Sequence, residues 1–111
     1  MPTRLRHLDP MTRFSDAARQ TTAALRALFP ETPLQRNDHL SARYDAEIWL
    51  KREDLSPVRS YKLRGAFNAM RKVRARQPDQ RQFVCASAGN HAQGVAFACR
   101  HFGVQGVIFI P

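Results

Sequence analysis

Acidic residues are the scarce class in this 111-residue chain: nine Asp and Glu stand against 18 Lys and Arg, a formal net charge of +9. Cysteine is scarcer still, with only Cys85 and Cys99 and no C-x-x-C spacing. That excludes a disulfide framework, and both thiols read as small core residues of a reducing compartment. His7, His39, His91 and His101 are scattered, so no metal site is expected. No apolar run approaches the roughly 18 residues that a membrane-spanning helix needs, so no membrane partner is expected. The basic opening Met1-Pro2-Thr3-Arg4-Leu5-Arg6-His7 has no apolar core after it, which argues against a secretory signal. Met11 is an alternative start, and a cytoplasmic location is the default. Neither G-x-G-x-x-G nor G-x-x-x-x-G-K-[ST] occurs, and there is no internal repeat or low-complexity segment.

An excess of nine positive charges raises the question of nucleic acid. The densest run is Arg71-Lys72-Val73-Arg74-Ala75-Arg76. No aromatic residue interleaves it, and no zinc-finger, helix-turn-helix or RNP pattern is present. It reads as the solvated end of a helix, where cations suit the dipole. No nucleic-acid partner is expected. The rival reading, a basic nucleic-acid-binding module, would show itself as steeply salt-dependent binding.

What is present is an ordinary hydrophobic content of 43%, enough for one domain. Residues 1–13 read as a loose leader and 14–111 as the domain. A helix is expected from Ser15 or Asp16 to Phe29, stopped by Pro30, with an extended segment at 31–34. Residues 47–51 read as a strand with Trp49 in the core, and 52–57 as a polar loop. Leu63, Ala66, Phe67, Met70 and Val73 recur at helical spacing and predict a helix over 62–76. A buried strand follows at 83–86. Next comes a helix over 90–102, apolar at Val95, Ala96, Cys99 and Phe102 and closed by Gly103, and then a strand at 107–110. The alternation predicts right-handed βαβ units: an α/β fold with an open parallel sheet and flanking helices. In such sheets ligands sit outside the carboxyl ends of the strands, where the loop before Lys62 and the turn at 87–90 are both expected.

Two runs on those loops carry chemistry: Ser60-Tyr61-Lys62-Leu63-Arg64-Gly65-Ala66 and Ser87-Ala88-Gly89-Asn90-His91-Ala92-Gln93-Gly94. Lys62 opens a helix whose positive end favours the neutral, nucleophilic amine over the ammonium. Tyr61 offers a flat apolar surface beside it. Lys51, in mid-strand, is the competing lysine. In the second run Gly89 lets the backbone turn and present N–H groups at a helix start, and Ser87 and Asn90 add a hydroxyl and an amide that suit an anion. The alternative for Ser87 or Asn90 is a simple helix cap. Glu53 and Asp54 read as solvated or paired to Arg52, Arg59 or Arg64.

With Leu50-Lys51-Arg52-Glu53-Asp54-Leu55, these runs resemble the β-family, or fold type II, of pyridoxal-phosphate enzymes, and within it the biosynthetic threonine dehydratases (threonine ammonia-lyases). The resemblance covers roughly residues 14 to 111. It implies that Lys62 carries pyridoxal 5′-phosphate as a Schiff base and later removes the substrate α-proton. It implies that Tyr61 packs on the cofactor ring, that Asn90 bonds its 3′ oxygen, and that Ser87, Ala88, Gly89, Asn90 and His91 receive the substrate α-carboxylate. The implied reaction is β-elimination from L-threonine, giving 2-oxobutanoate and ammonia in isoleucine biosynthesis by a homo-oligomeric parent, with L-serine left open as the alternative substrate. Relatives that racemise serine tend to carry a second serine where this chain has Ala88, which argues against racemisation; a catabolic serine/threonine dehydratase is the near alternative. The family's glycine-rich phosphate loop is not in the 111 residues. The chain is therefore expected to be an N-terminal portion of the catalytic domain, incomplete and, on its own, retaining cofactor poorly and turning over little or not at all.

Overall fold

The computed structural model describes residues 10–111; positions 1–9, most of the expected leader, lie outside the described residues. The chain divides into two units, Met1–Pro30 and Glu31–Pro111. The described part of the first is one helix, α1 (Pro10–Arg26). It begins five residues ahead of Ser15 because Pro10 suits a first helical position, where its missing N–H is not needed. Residues 10–13 are thus helical. The helix also stops short of Phe29: the Leu28 and Phe29 N–H groups both turn back to the Leu25 carbonyl, at 2.9 and 3.2 Å.

The second unit holds two small sheets. In one, β1 (Leu34–Arg36) pairs antiparallel with β2 (Trp49–Lys51), Leu34 opposite Lys51 and Arg36 opposite Trp49. Between them lies α2 (Asp38–Tyr44), capped by the Asn37 side chain, which accepts the Leu40 N–H at 2.8 Å. In the other, β3 (Gln82–Ala86) and β4 (Gln105–Phe109) run parallel, Gln82 opposite Gln105 and Ala86 opposite Phe109. The helix α3 (Lys62–Arg76) leads into β3, and α4 (Asn90–Phe102) makes the crossover to β4.

The β3–α4–β4 unit matches the parallel architecture expected, but β2 does not join that sheet. Its ladder is taken by β1, extended by Arg52 N–H to the Pro33 carbonyl and Asn37 N–H to the Ile48 carbonyl, both at 2.8 Å. Trp49 is also not core; it is 51% exposed, because both faces of the three-residue ribbon are open.

The core is the seam between α3 and α4. Leu63, Ala66, Phe67 and Met70 from one helix meet Val95, Ala98 and Cys99 from the other. Leu63 is wholly buried, worth about 2 kcal/mol relative to exposure. Phe67 stacks on Phe102 with ring centroids 5.2 Å apart, and His101 meets both rings edge-on. Val73 and Ala96, expected on inner faces, are exposed. On the sheet side, a Cβ at Gly106 would stand 2.9 Å from Cys99 Sγ, so α4 settles onto β4 where a side chain is missing. Burial pushes the Cys99 thiol up, with nearby Cys85 adding to the effect. Gly103, at φ 62°, ends α4 in the left-handed conformation, as its position predicts.

Candidate functional site

The approach to Lys62 is built by two buried serines that the sequence reading passed over. Ser56 Oγ donates to the Ser60 carbonyl at 2.8 Å and accepts the Ser60 N–H at 3.1 Å. Between them Arg59 holds φ at 61°, an uncommon conformation for a side-chain-bearing residue, with its N–H on the Ser56 carbonyl at 3.0 Å. Ser60 Oγ then accepts the Lys62 N–H at 3.3 Å. The loop therefore delivers Lys62 to the first position of α3 in one fixed conformation.

A charged network fixes the same loop from below. Arg64 grips Glu53 with two hydrogen bonds, 2.8 and 2.9 Å, and Thr32 donates to the same carboxylate. This pairing with Arg64 holds the Glu53 carboxyl below its usual range and the Arg64 guanidinium above its own. Lys51, the competing lysine, is engaged: its amine donates to the Thr32 carbonyl and lies 3.6 Å from Glu31. Arg52 is paired with Asp54. Among the described residues no carboxylate holds Lys62. Its exposed amine lies 5.1 Å from the centre of the Tyr61 ring, which is itself 60% exposed.

The turn at 87–90 follows β3 directly. The Ser87 N–H joins the Phe109 carbonyl at 3.0 Å, carrying the parallel ladder one step past the strand. Ser87 Oγ accepts from Gly89 N–H at 3.2 Å and Ala92 N–H at 3.3 Å, so Ser87, two residues ahead of the N-cap Gly89, satisfies one N–H of the first turn of α4. Accepting them uses the oxygen's lone pairs and leaves its O–H free to donate. The Asn90 and His91 N–H groups, at the open end of α4, have no acceptor among the described residues. A Cβ at Gly89 would meet nothing within 4 Å, so the approach to those donors is clear.

The two motifs meet along the helix seam. A Cβ at Gly94 would lie 3.1 Å from main-chain atoms of Lys62 and Leu63, so the second turn of α4 rests on the first turn of α3. Asn90, four residues earlier, occupies the same face of α4. Ser87, Ala88, Gly89 and Asn90 share the turn. His91 is placed differently: it lines an apolar cleft of about 170 Å³ with Ala66, Ala69 and Met70 of α3 and Phe83, Val84 and Cys85 of β3. The signal for Gly94 was in the sequence, since a glycine inside a helical pattern demands a packing reason.

Residues 25–111 match the family model described as pyridoxal-phosphate dependent enzyme. The chain is 61% identical over 80 residues to the biosynthetic L-threonine dehydratase IlvA of Bacillus subtilis, covering 72% of this chain and 19% of that protein. Among solved structures, the processed form of threonine deaminase isoform 2 from Solanum lycopersicum superposes with a TM-score of 0.66 at 42% identity, over 73% of this chain and 22% of that one. Maize serine racemase gives a TM-score of 0.77 at 28% identity, over 86% of this chain and 30% of its own. The chain spans about a fifth of the length of the curated relative it matches. A family match that runs from residue 25 to residue 111 leads to one assignment: the chain belongs to the pyridoxal-phosphate dependent enzyme family.

Proposed function

We propose that this chain is the lysine-bearing N-terminal part of the catalytic domain of a threonine dehydratase, which eliminates water from L-threonine, and from L-serine as a second substrate, in isoleucine biosynthesis. The observation that carries the reading is the contact of Gly94 with the Lys62 main chain, which joins the two motifs. The reaction class is supported by the identity to a biosynthetic L-threonine dehydratase. A cytoplasmic location and a homo-oligomeric parent belong to the same reading.

The residues suit the cofactor. Lys62 supplies an amine that pairs with no carboxylate among the described residues, and the Tyr61 face lies beside it. Bound there, pyridoxal phosphate supplies an electron sink for the charge left on the substrate α-carbon. Lys62 would hold the cofactor through its side-chain amine and would then serve as the base that takes the substrate α-proton. The Ser87 hydroxyl and the N–H groups at the open start of α4 would receive the substrate carboxylate, and the Asn90 amide would donate to the cofactor's phenolic oxygen. The overall change would take L-threonine to 2-oxobutanoate and ammonia. Ala88 leaves the turn without a second hydroxyl for proton return, which favours elimination over racemisation.

Reduction with borohydride in the presence of pyridoxal phosphate tests the reading on the chain itself. Peptide mapping should place the label on Lys62 in preference to Lys51 and Lys72, and Lys62→Arg should abolish that preference. Equal labelling of the three lysines would refute the assignment.

A further inference from the structure

Gly94 does more than allow two helices to touch. The atoms that a Cβ there would meet are Leu63 N, Lys62 C and Lys62 O, each at 3.1 Å. All three are main chain in the first turn of α3, and none can rotate aside as a side chain would. Contacts this tight require a neighbour to give by a few tenths of an ångström. Here the neighbour is the peptide that carries the reactive lysine.

The rest of the path is equally stiff. Gly94 is buried in the interior of α4, where glycine is the poorest helix former after proline. One turn upstream on the same face is Asn90. Ser87 is tied into that turn by its bond from the Ala92 N–H, and its own N–H is held by Phe109. Any displacement at Gly94 is therefore a displacement of Lys62 against the whole 87–91 turn.

We propose that Gly94 is a positioning residue, whose missing side chain sets the separation between the Lys62 main chain and the Ser87–His91 turn and so aims the lysine amine at a group held on that turn. The proposal rests on the reading of Lys62 as the cofactor lysine. It gives Gly94 a role different from those of two other glycines in the same unit. At Gly65, one turn along α3, a Cβ would meet nothing within 4 Å. At Gly106 it would meet the Cys99 side chain, 2.9 Å away, and no part of Lys62.

Three alanine variants of the full chain separate positioning from packing. The readout is the ratio of borohydride-fixed pyridoxal phosphate on Lys62 to that on Lys51 and Lys72, beside thermal unfolding followed by circular dichroism. Gly65→Ala keeps the ratio and the fold. Gly106→Ala lowers the unfolding midpoint and keeps the ratio in the folded protein. Gly94→Ala lowers the ratio by about tenfold, because misplacement by a fraction of an ångström is costly where two groups must meet in line. Should Gly94→Ala fail to fold in dilute buffer, it is compared with the parent chain in sucrose, which strengthens burial without competing for an anion site. A Gly94→Ala ratio equal to that of Gly65→Ala overturns the proposal, as does an equal fall in Gly106→Ala. If the parent chain itself shows no preference for Lys62, the cofactor-lysine reading fails first, and the role of Gly94 falls with it.

Discussion

Glu53 shows how one carboxylate can tie together residues distant in sequence. It receives two hydrogen bonds from Arg64 and one from Thr32, and its carboxyl is held below the ordinary 4.5, chiefly by Arg64. A carboxyl whose folded pKa is depressed adds stability that is present above its unfolded pKa and is lost as pH falls through the folded one. Glu53→Gln should therefore cost about 1–2 kcal/mol at neutral pH. The difference between the parent chain and the variant should shrink below about pH 4, as urea titrations at several pH values would show. A difference that stayed constant to pH 3 would mean that the pair contributes by packing alone.

At the level of elements, the helices were legible where the period was long. Leu63, Ala66, Phe67 and Met70 marked α3, and Gly103 marked the end of α4, because each signal is local to its own segment. The short elements were not. The seven-residue α2 is too brief to show a period, and it depends on the Asn37 cap. β2 read correctly as a strand, but its partner could not be told, since pairing is decided by which ladder lies open in space. The same divide runs through the site. Lys62 and the 87–91 turn were legible as motifs. The Ser56–Ser60 clasp and the Gly94 contact exist only once distant segments meet. Local geometry also sets the sign of helix substitutions. Gly65→Ala, in open space on α3, should raise stability by about 0.5–1 kcal/mol. Gly103→Ala, forced to φ 62°, should lower it by about 1 kcal/mol, both read from denaturant midpoints.

For unit 31–111 as a whole, the distribution of apolar surface stands out. The inner face of the β3–β4 sheet is covered by α4, while the outer face is open: Val84 is 61% and Phe109 62% exposed. The register places Val84 opposite Val107, and Ala86 opposite Phe109, on that outer face. Among the described residues the sheet has two strands, so each strand also presents an unpaired edge. An apolar face beside open edges favours self-association. Phe109→Lys should reduce concentration-dependent light scattering and leave the unfolding midpoint nearly unchanged, since only the outward side chain is altered.

The bond from the Ser87 N–H to the Phe109 carbonyl has a consequence for how the molecule is made. A turn pinned by a residue 22 places later cannot be completed locally. On a translating ribosome the nascent Ser87–Asn90 segment has no partner for that amide until Phe109 clears the exit tunnel. The loop before Lys62, closed by contacts among residues 32 to 64, can mature first, and the 87–90 turn assembles onto it.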